Sequence, residues 1–264
     1  MDLKLKDKIA LVTGSTAGIG NAIARSLATE GATVYINGRN QNKVDEVVEK
    51  LKAETGNANI KGIAADFSDG QQVNALLKQL PEVDILVNNV GIFEPKEFKN
   101  IPDEDWLRFF EVNVLSGVRL ARVYFDKMLA KNWGRIIFIS SESGIQIPAE
   151  MIHYGVTKTA QIAVARGLAE LTVNTGVTVN TVLPGPTLSD GVGDFMKALA
   201  ADQGKTDAEM ETEFFTNMRG SSLIKRFLDP VEIANMVTYI ASPLSSATNG
   251  ATLRTDGGVI KTAF

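Results

Sequence analysis

The 264-residue chain contains no cysteine and a single histidine, His153. The first absence excludes disulfides and thiolate metal sites; the second excludes a cluster of histidine ligands, so no metal centre is expected. Lysine and arginine number 27 against 31 aspartates and glutamates, giving a net charge of −4. With no basic field, nucleic acid and anionic membrane surfaces are poor partners. Long apolar runs are missing too. The opening stretch MDLKLKDKIALVTG holds only a short one before Thr13-Gly14, too short for a signal-peptide core or a spanning helix. A soluble, cytoplasmic protein is expected, whose chemistry comes from hydroxyls, lysines, carboxylates or a bound cofactor.

What is present is an apolar fraction of 44%, enough for a sizeable core, in a chain of a length that suits one large α/β domain. Short β-branched runs alternate with helical spacing throughout. Strands are expected at 8–13, 33–37, 60–65, 84–87, 135–139, 177–183 and 251–255. A glycine turn and a helix follow the first strand, and polar helices follow the second and third. A long helix is expected over 102–131, with Asn113 on an otherwise apolar face. Another carries Tyr154, and Asp229-Pro230 reads as the N-cap and first-turn proline of a last one. Such alternation implies right-handed crossovers and a doubly wound parallel sheet of the Rossmann type. Residues 188–227 break the pattern with two amphipathic segments containing Phe195, Met196, Phe214, Phe215 and Met218, read as a helical lid within a single domain spanning 1–264.

Two stretches carry chemistry. Gly14-Ser15-Thr16-Ala17-Gly18-Ile19-Gly20 lies directly after a strand and opens a helix, the context in which glycines let a backbone approach a pyrophosphate at a helix N-terminus. Asp66, past the third strand, is placed to accept from an adenine amino group or to cap the next helix. The second stretch is the strand at 135–139, which runs into Ser140-Ser141; Tyr154 comes thirteen residues after Ser141 and Lys158 four after that. On a helix the phenol and ammonium share a face. A neighbouring cation favours phenolate and lowers the ordinary tyrosine pKa of about 10. Tyr154 could then exchange a proton with an alcohol or carbonyl oxygen held by Ser141. Ser140 reads as structural, and His153, diverging from Tyr154 around the helix, as a core residue.

Thr13-Gly14-x-x-x-Gly18-x-Gly20, Asn88-Asn89-x-Gly91, Asn113, Ser141, Tyr154-x-x-x-Lys158 and Pro184-Gly185 follow the order and approximate spacing of the short-chain dehydrogenase/reductase family, which the whole chain resembles. Val90 departs from it, standing where the family usually has alanine. The resemblance implies an NAD(P)-dependent oxidoreductase that interconverts a ketone and a secondary alcohol. Tyr154 would be the general acid/base, Ser141 the anchor of the substrate oxygen, and Lys158 the residue that holds the nicotinamide ribose and lowers the Tyr154 pKa. Asn113 would position a water linking Lys158 to solvent. Implied cofactor contacts are Gly14, Ser15, Thr16, Gly18, Ile19 and Gly20 in the turn, Arg39, Asp66 and Phe67 beside the adenosine, and Asn88, Gly91, Tyr154 and Lys158 further in. Pro184, Gly185 and Thr187 would run along the nicotinamide.

At the end of the second strand, Gly38 stands where an NAD-specific site wants a carboxylate, and Arg39 beside it can meet a 2′-phosphate. NADP(H) is therefore favoured, with NAD(H) possible. Pocket-facing positions are expected at Ile92, Phe93, Ser143, Gln146, Ile147 and Leu188, mostly apolar, around a small carbonyl or alcohol substrate. The resemblance also implies a homotetramer or homodimer that pairs the helices bearing Asn113 and Tyr154. Two other readings stay open: a dinucleotide-binding regulator without turnover, and a lyase, dehalogenase or epimerase on the same fold.

Overall fold

In the computed structural model, which describes residues 2–263, seven parallel strands form one sheet in the order β3-β2-β1-β4-β5-β6-β7. They are β1 (Ile9–Val12), β2 (Thr33–Gly38), β3 (Ile60–Ala64), β4 (Ile85–Asn88), β5 (Gly134–Ile139), β6 (Val177–Pro184) and β7 (Thr252–Thr255). Each expected strand is found to within one residue at either end. β4, β5 and β6 are buried at every position, which is why they read as unbroken apolar or β-branched runs rather than alternating ones.

Helices cover both faces. α1 (Gly18–Thr29), α2 (Gln41–Thr55) and, from the end of the chain, α9 (Pro230–Ala241) lie over one, sharing a core with Leu27, Val34, Ile36, Ile137, Ile233 and Ile240. Over the other lie α3 (Gly70–Gln79), α5 (Ser116–Ala130) and α6 (Ile152–Glu170), packed through residues such as Leu76, Leu120, Tyr124 and Ala165, while α4 (Asp103–Phe110) packs against α6 through Phe109 and His153. Each fully buried aliphatic or aromatic side chain here contributes about 1.5–3 kcal/mol. The strand order reverses between β1 and β4. A crevice therefore opens above their carboxyl ends, where ligands of such sheets bind.

The long helix expected over 102–131 is interrupted. α4 and α5 are joined by a π-helical turn, Glu111–Leu115, that contains Asn113. The turn is fastened to a neighbouring strand end and to α6: Asn113 Oδ1 accepts from Ile92 N at 2.7 Å, and Nδ2 donates to Ile92 O at 3.0 Å and Thr157 Oγ1 at 2.9 Å.

The segment read as a lid comprises α7 (Asp190–Gln203), α8 (Asp207–Glu213) and a second π-helical turn, Phe214–Met218. It has its own small core of Met196, Met210, Phe215 and Phe227, while the side chains at 190, 194, 198, 199, 201 and that of Phe195 lie outside the described residues. α9 opens as expected, with Asp229 and Glu232 forming a capping box around Pro230. No described helix is long and apolar enough to cross a membrane.

Candidate active site

The glycine turn is bolted from below. Ser15 Oγ donates to Val12 O at 2.7 Å and accepts from Asn37 N at 2.9 Å, while Asn37 Oδ1 accepts from Gly14 N at 3.1 Å. Ser15 is thus wholly buried and serves the turn rather than facing the cleft. A Cβ on Gly20 would stand 2.4 Å from Gly14 O and 2.5 Å from Asn89 Nδ2, so only glycine permits this approach. Gly18 begins α1 with a φ of +56°, and the positive end of the helix dipole there suits an anion.

The cleft over this turn has Ile19, Gly20 and Asn89 on one side, and Gly14, Thr16, Arg39, Asp66 and Phe67 on the other. Asn89 is fixed by donating to Thr13 O at 2.9 Å and Gly14 O at 3.1 Å. Asn88 points the other way: its side chain is buried beside Gly117, without a hydrogen-bond partner among the described residues, and it is Asn89 that lines the cleft. Hydrogen bonds from Ser68, assisted by the charge of Arg39, hold the Asp66 carboxyl below its ordinary pKa. The space above Gly38 is not open, because a Cβ there would meet Thr16 Cγ2 at 2.6 Å.

The cleft leads into a pocket that Ser141, Tyr154, Lys158, Gly91, Pro184, Gly185 and Thr187 all line. Lys158 Nζ donates to Ile139 O at 3.0 Å and to Gln161 Oε1 at 3.2 Å, and Gln161 Nε2 donates to Asn113 O at 2.6 Å. Between Asn113 and Lys158, where a linking water is expected, the Gln161 side-chain amide thus makes the connection. Ser140 is structural, donating to Lys158 O at 2.7 Å. His153 is fully buried, 4.1 Å from the Phe109 ring centroid, and burial lowers its pKa.

Burial also pulls Lys158 down to about 8. Tyr154 is pushed above its ordinary value, whereas its spacing from Lys158 alone leads one to expect it below. Burial does most of this and the Glu142 carboxylate adds to it, against a hydrogen bond with Ser141 and the charge of Arg219. In the protein alone, desolvation of the phenolate outweighs that hydrogen bond and the Arg219 charge.

Three charged residues that the sequence reading did not single out form the pocket's polar floor. Ser141 Oγ donates to Glu142 Oε2 and accepts from Ser143 N at 3.1 Å. Glu142 Oε1 accepts from Ser143 Oγ at 3.1 Å and from Arg219 Nε at 3.1 Å. Arg219 Nη1 donates to Glu150 Oε1 at 2.9 Å. Glu142 and Arg219 are only 5% and 7% exposed. Ile92, Phe93, Met151, Met196, Phe214 and Met218 give the same pocket its apolar lining, with the Phe214 ring 5.8 Å from the Arg219 guanidinium. Ile92, Phe93 and Ser143 lie where expected. Gln146, Ile147 and Leu188 do not line this pocket: Gln146 donates to Ser221 Oγ at 3.3 Å, Ile147 packs on Gly155, and Leu188 borders a groove beside α1 and α9.

A family model described as short chain dehydrogenase matches residues 8–200. The chain belongs to this family. It is 51% identical over 264 residues to the uncharacterized oxidoreductase YvaG of Bacillus subtilis, covering 100% of both chains. It is 31% identical to the 3-oxoacyl-[acyl-carrier-protein] reductase FabG of Aquifex aeolicus, over 98% of this chain and 100% of that one. Among solved structures, L-sorbose reductase from Gluconobacter frateurii, complexed with NADPH and L-sorbose, superposes with a TM-score of 0.93 at 30% identity, covering 99% of this chain and 100% of that one. The protein is therefore an oxidoreductase of the short-chain dehydrogenase type.

Proposed function

We propose that this short-chain dehydrogenase interconverts a ketone and a secondary alcohol using NADP(H), with Tyr154 as general acid/base. The observation that carries the reading is the meeting of Ser141, Tyr154 and Lys158 in one pocket that shares Ile19 and Asn89 with the cleft over the glycine turn. That cleft fits a dinucleotide by its own chemistry: a glycine turn that opens a helix directly after a strand, and a close approach that any side chain on Gly20 would block. Gly18, Ile19 and Gly20 would face the pyrophosphate, Arg39, Asp66 and Phe67 the adenosine, and Gly91, Lys158, Pro184 and Thr187 the nicotinamide end. When bound, the nicotinamide supplies or accepts the hydride.

The chain's own groups handle the oxygen. In the reductive direction Tyr154 gives its phenolic proton to the substrate oxygen. Ser141 donates a hydrogen bond to that oxygen as negative charge develops there. Because burial and Glu142 raise the Tyr154 pKa, the phenol waits protonated, which favours reduction. Lys158, with a pKa of about 8, is mostly charged at neutral pH, and Gln161 holds it in place.

NADP(H) is preferred because Gly38 brings no carboxylate to the end of β2 to bind ribose hydroxyls, while Arg39 is exposed at the rim without a salt bridge among the described residues. A homodimer or homotetramer completes the proposal. The test follows NADPH and NADH absorbance over a ketone panel. Tyr154→Phe is expected to lower kcat by about 10²–10⁴-fold with NADPH binding unchanged. Near-parental turnover by that variant refutes the acid/base assignment, and a parental preference for NADH refutes the cofactor assignment.

A further inference from the structure

Ser141 has one proton to donate. In the structure it goes to Glu142 Oε2, whose sister oxygen Oε1 already takes Ser143 Oγ and Arg219 Nε. Accepting the oxidoreductase reading above, Ser141 must turn that proton to the substrate oxygen. Glu142 Oε2 then loses the donor that faces it, on a residue only 5% exposed where water is scarce. A buried carboxylate oxygen left without a donor is costly, so a substrate that brings its own donor is favoured over one that does not.

The donor's place on the substrate follows from geometry. Glu142 Oε2 and the substrate oxygen would compete for one hydroxyl, each at a hydrogen-bond distance of about 2.8 Å from Ser141 Oγ. A hydroxyl on the carbon next to the carbonyl carbon is the group that can reach Glu142 while the carbonyl oxygen stays on Ser141. Charge narrows the class further. Glu142 and Glu150 bring two carboxylates against the single guanidinium of Arg219, whose Nε and Nη1 they already occupy. An acid substrate would bring its own carboxylate to Glu142, like charge against like charge, at the point where a hydroxyl can donate. Ile92, Phe93, Met151 and Phe214, which line the same pocket, offer apolar surface to the remainder of the molecule.

We propose that Glu142 is a specificity-determining residue that accepts a hydrogen bond from the substrate, and that the preferred substrates are uncharged α-hydroxy ketones with a short hydrocarbon remainder, or the corresponding vicinal diols in oxidation. Arg219 is the positioning residue that holds Glu142 from the lid.

Three ketones with the same butyl tail separate the possibilities: 1-hydroxy-2-hexanone, 3-heptanone and 2-oxohexanoate, each assayed with NADPH and with NADH. The hydroxy ketone is expected to exceed the ethyl ketone at least tenfold in kcat/KM, with the oxo acid lowest. In Glu142→Gln, which removes the charge and keeps the size, the hydroxy-to-ethyl ratio should fall to within threefold and the oxo acid should gain. The parental ranking is decisive even if that variant does not fold. Equal rates on the hydroxy and ethyl ketones, or a preference for the oxo acid, overturn this inference and leave ketone reduction standing. Turnover of none of the three with either cofactor overturns both.

Discussion

Lys158 is the residue where function and stability pull apart most clearly. It is 4% exposed, and its ammonium has Ile139 O and Gln161 Oε1 for acceptors, with no carboxylate bonded to it among the described residues. Burial lowers its pKa from 10.5 to about 8. Below about pH 8 the folded protein therefore carries a charge that the unfolded chain would solvate better, and the cost is fully present. Between about pH 8 and 10.5 the unfolded state binds more protons at this site than the folded state does, so stability gains with rising pH. The shift corresponds to about 3 kcal/mol at neutral pH. Lys158→Met is thus expected to be inactive, yet more stable than the parent at pH 7 by up to about 3 kcal/mol. That advantage should shrink toward zero as the pH approaches 10. Urea melts of both proteins at pH 7 and pH 9.5 measure it; an advantage that does not change with pH refutes the account.

Elements held by local pattern were legible, and those held by distant partners were not. The strands announced themselves as β-branched runs, and Asp229-Pro230 as a helix start. The π-helical turn around Asn113 has no local signature, since what fastens it is the backbone of Ile92 and the hydroxyl of Thr157, 21 and 44 residues away. Ser141, Tyr154 and Lys158 could be found by spacing. Glu142 could not be paired with Arg219 across 77 residues, although a carboxylate directly after a buried strand end was a usable signal. Gln161, one turn beyond Lys158, was another. Alternation along β4 and its turn could not say which of Asn88 and Asn89 faces the cleft. The lid was legible as amphipathic segments but not as a separate packing unit. Its core is a triangle of Phe214, Phe215 and Phe227 with ring centroids 5.0–5.1 Å apart, backed by Met196 and Met210. Because this cluster is distinct from the two sheet cores, Phe215→Ala should spend its ~3–5 kcal/mol on the lid alone. Substrate KM is expected to rise at least about fivefold, with faster amide exchange confined to 188–227. Exchange that accelerates equally across the sheet would show that lid and sheet unfold together.

At the scale of the whole molecule, the reversal of strand order between β1 and β4 places the cleft and pocket at one end of the sheet, leaving the outer sides of the helices free of catalytic duties. On the side covered by α4, α5 and α6, that outer surface is unexpectedly apolar. Leu107 is 71% exposed, Phe110 41% and Val156 43%, the first two on α4 and the third on α6. Exposed large apolar side chains on neighbouring helices are what a surface covered by a partner would present. These are the helices expected to pair in a homo-oligomer, and a stable pairing would bury about 800 Å² on each copy. A net charge of −4 is too small to keep copies apart. Light scattering at micromolar concentration is therefore expected to give the mass of a dimer or tetramer. The double variant Leu107→Glu with Phe110→Glu places carboxylates against their symmetry mates and should lower that mass, to a dimer from a tetramer or to a monomer from a dimer. Circular dichroism should stay unchanged, because both side chains face outward. A parental protein that scatters as a monomer ends the proposal, and an oligomer indifferent to the double variant moves the interface to another face.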